Sequence, residues 1–259
     1  MKSILLTILL FLSFGILKGQ SLQASAFGGF GMAYMNNKSY NSFLESYSKL
    51  LSPIDIKRQK STLKFGYDFG LEFNFEMLNF RISRLKYSGL NQIFELKEGN
   101  RYFSYNYGSI KTVTSLKLGD SYSKTSKYFG IIIGMGNTAV ESYFKYPNGT
   151  KSLASEKDLN GIFDQYTSEI GFEYKLLRPL SNKLSVYVSA SLSYTLFLIE
   201  MEYHSYLRSI SSNFPLEYLP VDYETYMQSG NAYDYEGEYV KPNALKLDLL
   251  FGIQYKINN

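Results

Sequence analysis

The segment from Leu63 to Phe75 alternates strictly between apolar and polar positions. Leu63, Phe65, Tyr67, Phe69, Leu71, Phe73 and Phe75 share one face, and Lys64, Gly66, Asp68, Gly70, Glu72 and Asn74 share the other. A period of two predicts a β-strand whose two faces meet different surroundings. At ~3.3 Å per residue and a tilt of ~45°, this run covers roughly the ~25 Å apolar band of an outer-membrane barrel. We therefore expect its apolar face to contact lipid.

The same period recurs along the chain and predicts eight strands. Their approximate ranges are 22–35, 61–75, 80–90, 106–118, 128–146, 163–177, 184–198 and 244–257. The segments after strands one, three, five and seven are long, whereas those after strands two, four and six are short. Outer-membrane barrels have this asymmetry, with short periplasmic turns and long extracellular loops. It predicts that both termini lie on the periplasmic side.

Two of the long connections show structure of their own. Residues 40–51 of the first have helical character and are predicted to cap another part of the molecule. Residues 91–105 of the second are interpreted as an extension of a hairpin around Gly99 and Asn100, and the strand boundaries there are the least defined.

The volume of the side chains decides which face of each strand points inward. Eight strands enclose an interior just wide enough for side chains to fill, or for one small ligand. The Leu, Phe, Tyr and Val residues of the regular strands exceed that space, whereas the Gly, Ser, Ala and Thr residues opposite fit into it. A soluble eight-stranded barrel is therefore disfavoured. The sequence predicts an all-β fold, namely an eight-stranded antiparallel up-and-down transmembrane β-barrel with short periplasmic turns and long extracellular loops.

The beginning of the chain has the layout of a cleaved secretory signal. Lys2 precedes the almost unbroken apolar stretch 4–16, and Gly15, Gly19 and Gln20 follow. That stretch is too short for a comfortable spanning helix, and no later segment runs ~18 apolar residues, so a helical membrane protein is disfavoured. We predict a signal peptide over residues 1–20 and one barrel domain over residues 21–259, inserted in the outer membrane.

Composition narrows the chemistry further. The chain has 25 Tyr, 19 Phe and no Trp, and its mean hydropathy is −0.18, as expected when lipid-facing and water-facing positions alternate. The absence of Cys excludes disulfides and thiolate-bound zinc or iron–sulfur sites. The formal net charge of +4 becomes +2 when Lys2 and Lys18 are removed with the signal, which is too weak to indicate nucleic-acid binding. No cofactor and no metal site is predicted.

Several of these features together resemble a known family. The signal peptide, the glycine-rich first strand with Gly28, Gly29 and Gly31, and the count of eight strands are similar to the outer-membrane β-barrel domain family that includes PorT-like proteins. The small OmpX and OmpA barrels are similar more loosely. The final alternation, which ends on Tyr255 and Ile257, resembles the terminal strand that barrel-assembly machinery recognises. The resemblance spans the mature chain and is one of pattern, and it implies an outer-membrane barrel.

The inward-facing charges are the first candidates for a functional site. The strongest members of this set are Lys64, Asp68, Glu72, Glu169, Glu173, Lys246 and Asp248, and further members are Arg81 or Arg84, Lys175 and Lys256. A charge inside a narrow barrel is costly unless it is paired. We therefore expect a network of ion pairs and hydrogen bonds that fills the lumen. A conducting or proton-relaying path is the alternative, and an open pore is not expected at this strand number.

His204 is the only histidine and lies just after strand seven, at the predicted outer rim. Some eight-stranded barrels edit lipid A with a His and Ser pair, in which the imidazole must reach a serine hydroxyl and be oriented by a carboxylate. In lipid A deacylases the serine lies two positions after the histidine, and here Tyr206 occupies that position. His204 is therefore a weak catalytic candidate, and a solvated rim histidine is the favoured interpretation.

Two of the long loops suggest binding surfaces. The acidic and aromatic loop 200–242 is predicted to bind a partner, because interfaces favour tyrosine, through Tyr218, Tyr223, Tyr226, Tyr233 and Tyr235. Its carboxylates are also suitable calcium ligands, although no EF-hand spacing is present. An extension of strands seven and eight beyond the membrane explains the same residues and is the favoured interpretation. The basic first loop could contact the anionic sugars of lipopolysaccharide through Lys38, Lys49, Lys57, Arg58 and Lys60, and a purely solvated loop is the alternative.

Three functions remain open from the sequence. The first is a non-enzymatic outer-membrane barrel whose extracellular loops bind a partner protein or a surface glycan, as an accessory or interaction subunit of an envelope complex. The second is a lipid-modifying enzyme of the outer leaflet that uses His204. The third is a small transporter or pore. Outer-membrane lipid and lipopolysaccharide are predicted to surround the barrel in each case.

Overall fold

The computed structural model describes residues 22–50, 63–75, 77–96, 98–119, 124–151, 160–197, 202–204, 221–229, 236–241 and 243–257. Within these ranges the strands are β1 (Leu22–Asn36), β2 (Leu63–Phe75), β3 (Leu78–Ser88), β4 (Leu90–Leu96), β5 (Gly99–Leu118), β6 (Ser126–Lys145), β7 (Gly161–Pro179), β8 (Leu184–Phe197), β9 (Glu202–His204) and β10 (Ala244–Lys256). The helices are α1 (Lys38–Leu50) and α2 (Tyr223–Ser229). Neither of these two helices is long and apolar enough to cross a membrane.

Eight of the strands close into a ring. Each pairs with the next in the order β1, β2, β3, β5, β6, β7, β8 and β10. The pairing of β10 with β1, from Ser25 opposite Lys256 to Asn36 opposite Leu245, completes the circle. Every pairing is antiparallel. The prediction of an eight-stranded antiparallel up-and-down barrel is therefore confirmed.

The two shortest strands lie outside this ring. Strand β4 forms a hairpin with the beginning of β5, in which Leu96 lies opposite Gly99. The backbone of β9 pairs with the beginning of β7. Both additions are at the end of the barrel where the long connections lie. The predicted extension of the hairpin around Gly99 and Asn100 is thus confirmed.

The predicted strand bounds differ from the structure by no more than two residues, except at the beginning of the fourth strand. The third was expected over 80–90 and occupies Leu78–Ser88. The fourth was expected over 106–118, yet β5 runs from Gly99. The part of β5 from Gly99 to Asn106 was missed because its outward residues other than Tyr102 are polar or small, namely Asn100, Ser104 and Asn106, while aromatic residues face inward. A strand beyond the membrane has no lipid-facing side, so the apolar and polar alternation that identifies the other strands is lost there.

Along each strand, small and polar residues face the interior. In β8 the inward residues include Ser185, Ser189 and Ser191, which are buried, while Val188 and Leu192 are exposed. Bulkier inward residues are accommodated by glycine. The Tyr187 ring lies against Gly29 and Gly252, where an added Cβ would come within 2.6 Å of the tyrosine. The glycine-rich first strand therefore makes room for an aromatic side chain inside the barrel.

The eight strands of the ring differ in length. Strands β5, β6 and β7 have 20, 20 and 19 residues, whereas β1, β2, β3, β8 and β10 have between 11 and 15. Crossing a bilayer requires only ~9–11 residues of a tilted strand. At one end the strands are joined by the short connections 76–77, 119–125 and 180–183. The surplus residues of the three long strands therefore project at the opposite end, which we call the long-loop end.

Candidate functional site: a filled barrel with a projecting sheet

The outer wall of the barrel carries an apolar belt. Exposed side chains of this belt include Phe30, Met32, Phe65, Tyr67, Phe69, Leu71, Ile110, Leu116, Phe129, Ile131, Ile133, Met135, Ile170, Phe172, Leu192, Leu196, Leu245, Leu247 and Ile253. An apolar exterior around a polar interior is the arrangement of a barrel that crosses a lipid bilayer. One residue expected on this belt is instead buried, namely Phe75, which lies between Leu22 and Leu78 of the neighbouring strands.

A charge placed within the belt should be costly. Ile133 is 62% exposed on the outer wall of β6, between Thr112 and Ile170 of the adjacent strands. We expect Ile133→Arg to lower the free energy of unfolding in lipid vesicles by about 2–4 kcal/mol. The same substitution at Met77, which is 69% exposed in a short turn, should cost no more than about 1 kcal/mol. Urea titration of the refolded barrel measures both, and equal effects would contradict the assignment of the belt to lipid.

The interior of the barrel is lined by charged side chains. The structure places every member of the strongest predicted set on the inner wall and buries it. Arg81, Lys111 and Lys175 are buried with them. Arg81 and Arg84 are thereby distinguished, because Arg84 lies on the outer wall and is exposed. Lys256 is only half-buried, at the short-turn end of β10.

Towards the short-turn end, two ion pairs cross the lumen between strands that are not neighbours. Arg81 of β3 donates to the carboxylate of Glu173 on β7. Lys175 of β7 donates to Glu72 of β2, and Gln254 of β10 donates to the same carboxylate at 2.9 Å. These contacts connect opposite walls of the barrel.

Lys246 lies at the centre of a second group of charges. Its Nζ is 2.5 Å from Glu169 Oε1 and 3.3 Å from Asp248 Oδ2. The Glu169 carboxylate also accepts hydrogen bonds from the Tyr107 hydroxyl at 2.5 Å and the Ser193 hydroxyl at 2.6 Å. One buried ammonium therefore lies within ion-pair distance of two buried carboxylates, and hydroxyl groups donate further hydrogen bonds to Glu169.

Asp68 and Lys64 complete the charges of β2. Asp68 Oδ2 is 3.5 Å from the Nζ of Lys111, which lies on β5 across the lumen. Lys64 is nearer the long-loop end, where its Nζ donates to the Gly89 carbonyl at 3.4 Å and lies 5.9 Å from the centre of the Tyr105 ring. No described carboxylate forms an ion pair with Lys64. It contacts the aromatic cluster that closes this end of the barrel.

That aromatic cluster is formed by α1. Tyr40, Phe43, Leu44 and Tyr47 are buried on one face of the helix. The Phe43 and Tyr47 rings lie 5.4 and 5.3 Å from the ring of Phe103 on β5, and Tyr40 lies 5.3 Å from Tyr105. Phe94 of β4 covers the far side, 5.2 Å from Tyr47. The helix predicted from residues 40–51 is thus present over Lys38–Leu50 and packs into the mouth of the barrel.

Hydrogen bonds fix the beginning of α1 to the last long connection. Asn37 caps the helix, since its side-chain oxygen accepts from the backbone N–H of Tyr40 at 2.9 Å. Its amide nitrogen donates to the carbonyl of Lys241 at 2.8 Å. The Ser39 hydroxyl donates to the same carbonyl and accepts from the Lys241 N–H. The first and last loops are therefore held together at the mouth.

Beyond the belt, β4, β5, β6, β7 and β9 form a projecting sheet. On its outward face the rings of Tyr102 and Tyr143 are stacked, with centres 4.8 Å apart and planes inclined by 12°. The Lys151 Nζ lies 3.9 Å from the centre of the Tyr143 ring. On the inward face Arg101 donates to Asn160. The inward face is thus packed, and the outward face presents a half-buried tyrosine pair with an adjacent cation.

The tyrosines predicted to bind a partner are only partly covered by the structure. Tyr223 and Tyr226 lie on α2, whereas Tyr218, Tyr233 and Tyr235 lie outside the described residues. Asp222 caps α2, since it accepts from the Thr225 hydroxyl at 2.7 Å and from the Glu224 and Thr225 N–H groups. These hydrogen bonds, chiefly those from Thr225, lower the pKa of Asp222. The Ser46 hydroxyl donates to the Val221 carbonyl, so α2 lies next to α1.

His204, the candidate catalytic residue, lies at the long-loop end of the barrel. Its backbone belongs to β9 and lies opposite Ile162 of β7. Ser205 lies outside the described residues, so the hypothesis of a His and Ser pair stays a prediction. In the described ranges there is no group of three or more His, Asp or Glu side chains that could hold a metal ion.

Two elements of the site were not anticipated in full from the sequence. The packing of Tyr40, Phe43, Leu44 and Tyr47 follows the helical spacing of three and four residues, and this signal could have identified the buried face of α1. Lys111 carried no comparable signal, because the other side of β5 at this point is only weakly apolar. Its inward position depends on the register with β3 and β6.

Comparison with known proteins adds three similar structures. No family model matches the sequence, and no curated protein matches it. Neisserial surface protein A is 12% identical, with 92% of this chain and 100% of that chain covered and a TM-score of 0.47. Ail, the attachment invasion locus protein of Yersinia pestis, is 9% identical in its complex with the heparin analogue sucrose octasulfate, with 92% and 99% covered and a TM-score of 0.43. Another structure of Ail is 8% identical, with 91% and 98% covered and a TM-score of 0.43.

Proposed function

We propose that this chain is a non-enzymatic outer-membrane β-barrel that binds a partner protein or a surface glycan through its projecting sheet and the adjoining loops. The observation that carries the proposal is the outward face of that sheet, where Tyr102 and Tyr143 are stacked beyond the apolar belt. Tyrosine pairs of this kind supply large contact areas with little loss of side-chain freedom on binding. Tyr223 and Tyr226 on α2 are further candidate contacts, as are Tyr218, Tyr233 and Tyr235.

The filled interior supports a binding role over a pore. Along the described residues the lumen holds the cross-barrel charge pairs, and α1 packs into its mouth. A network of paired charges at this strand number fills the space that a solute would need. We propose that the buried charges serve to seal and stabilise the barrel. Measurable ion conductance in planar bilayers would contradict this role.

The proposal includes an orientation in the membrane. The short connections and both chain ends would lie in the periplasm, the long loops would be extracellular, and residues 1–20 would be removed as a signal peptide. Lipid and lipopolysaccharide would surround the belt. An accessory role in a larger envelope complex and kinship with PorT-like barrels agree with this arrangement and remain predictions.

Removal of the tyrosine pair tests the proposed surface. We expect Tyr102→Ala/Tyr143→Ala to weaken capture of the partner by at least about tenfold, because aromatic anchors carry most of the binding energy of an interface. The measurement is affinity purification of the tagged barrel from gently solubilised outer membranes, with quantification of co-purifying chains and glycans by mass spectrometry.

Tyr174→Ala is the matched control for this experiment. Tyr174 is also an outward tyrosine and is 39% exposed, but it lies on β7 towards the short-turn end. This variant should retain the wild-type set of partners. If the double variant retains every enriched partner, or if the control loses the same ones, the projecting sheet is not the binding surface.

A further inference from the structure

A groove of about 1010 Å³ lies on the outer wall between β3 and β7. Its lining comes from four consecutive strands of the ring, and none comes from the opposite wall. The exposed side chains among its lining residues include Ile110, Met135 and Tyr166. Because the inward residues at this level are buried, the groove opens outward, on the side of the apolar belt.

Two cations form the β3 side of the groove. Arg84 and Lys86 are both exposed on the outer wall. Their neighbours on β2 are belt residues, since Arg84 lies opposite Phe69 and Lys86 opposite Tyr67. Neither cation forms an ion pair or a side-chain hydrogen bond with another described residue. The groove therefore combines two positive charges, which have no ion-pair partner among the described residues, with aromatic and aliphatic surroundings.

The groove lies at the edge of the belt that faces the long-loop end. On β5 and β6 the apolar outward residues end at Ile110 and Met135, and the next outward residues are Gly108 and Asn137. Gly108 leaves the space between Lys86 and Asn137 without a side chain, and an added Cβ would lie 3.3 Å from Asn137 Oδ1. An amphiphile could thus place its polar group on the side of the groove nearer the long-loop end and its apolar chain on the side nearer the belt.

The carboxylates that line or adjoin the groove lie on its far side. Asp164 accepts from the Asn137 side-chain amide at 3.1 Å and from the Gln165 N–H at 2.9 Å. Glu141 lies still closer to the long-loop end, opposite Ser104 and Ile162. The anion-attracting side is therefore confined to Arg84 and Lys86.

We propose that this groove binds a phosphate-bearing lipid of the outer leaflet. Its phosphate contacts Arg84 and Lys86, and an acyl chain lies along Ile110, Met135 and Tyr166. A guanidinium matches phosphate with two parallel hydrogen bonds, and such charge-assisted bonds strengthen at the edge of a bilayer where water is scarce. The inference rests on the proposed orientation, which places the long-loop end at the outer leaflet.

Native mass spectrometry of the full barrel in neutral detergent tests this proposal. The probes are phosphatidylglycerol, phosphatidylcholine and inorganic phosphate. We expect the wild type to retain phosphatidylglycerol most strongly, because its headgroup is anionic and carries no choline cation, and to retain inorganic phosphate least. Arg84→Gln/Lys86→Gln should weaken retention of phosphatidylglycerol by about tenfold, the result of losing two weakly screened charge contacts.

Lys127→Gln is the matched control, because Lys127 is an exposed cation on the outer wall of β6 at the short-turn end. This variant should retain lipid as the wild type does. Arg84→Lys, which keeps the positive charge, should bind lipid more strongly than the double variant. Equal retention by the double variant and the wild type would overturn the proposal, as would an equal loss in the control or equal binding of inorganic phosphate. The proposed insertion is tested separately by Ile133→Arg, so a barrel that inserts but shows no lipid preference refutes only the groove. Gel mobility of unheated samples verifies that each variant is folded.

Discussion

Lys246→Met is expected to lower the free energy of unfolding by about 3–5 kcal/mol, because it removes the charge that compensates two buried carboxylates. Lys246 is fully buried, and its Nζ lies within ion-pair distance of both Glu169 and Asp248. After the substitution the two carboxylates would face each other in a medium of low dielectric constant. The penalty arises from these uncompensated charges more than from the lost contacts.

Urea titration of the barrel in lipid vesicles measures this effect. The chain contains no Trp, so circular dichroism and the gel mobility of unheated samples are the suitable signals. The triple variant Lys246→Met/Glu169→Gln/Asp248→Asn should recover much of the loss, because it also removes the buried negative charges. Lys256→Met is the control, since Lys256 is half-buried at the short-turn end and should cost less than about 1 kcal/mol. A single variant as stable as the wild type, or a triple variant no better than the single one, would contradict the proposed role of the ion pairs.

Phe43→Ala is expected to weaken the docking of α1 by about 3–5 kcal/mol, the usual cost of truncating a buried phenylalanine. Phe43 is fully buried and packs edge-to-face on Phe103. Because the helix is joined to the barrel by side-chain packing and not by the strand ladder, the loss should be local. Amide exchange of α1 should accelerate by more than about a hundredfold, while the exchange of the strands stays unchanged.

Ser42→Ala is the matched control on the exposed face of α1 and should leave amide exchange of the helix unchanged. The Phe43 variant should also remain without ion conductance, because the charge pairs deeper in the lumen are untouched. If α1 exchanges at the wild-type rate in Phe43→Ala, the aromatic cluster does not hold the helix in the mouth.

The strands inside the membrane could be predicted almost to their ends, whereas the projecting sheet could not. In β2 and β8 one face contacts lipid and the other faces the polar interior, so each inward or outward position can be predicted from its residue type. In the part of β5 nearer the long-loop end, from Gly99 to Asn106, the outward face contacts water in place of lipid. The inward face packs against α1 in place of the charged interior. Tyr102 faces outward and Phe103 inward, so the pattern no longer distinguishes the two faces.

The ion pairs illustrate the same limit at the level of single residues. The period of two predicted that Glu72, Glu169 and Glu173 point inward, and the structure buries all three. The period of two carried no information on their partners. Glu72, for example, pairs with Lys175, which lies 103 positions further along the chain. Such pairs depend on the shear and closure of the ring, which bring distant strands to the same height.

The sequence by itself determined the kind of fold, the number of strands in the ring and the side of the belt residues other than Phe75, because contact with lipid requires a regular alternation along every strand. The tertiary structure alone decided which charges compensate one another, how α1 packs into the mouth, and that Arg84 and Lys86 border a groove on the outer wall. These features arise between strands far apart in the chain, and their geometry exists only once the ring is closed.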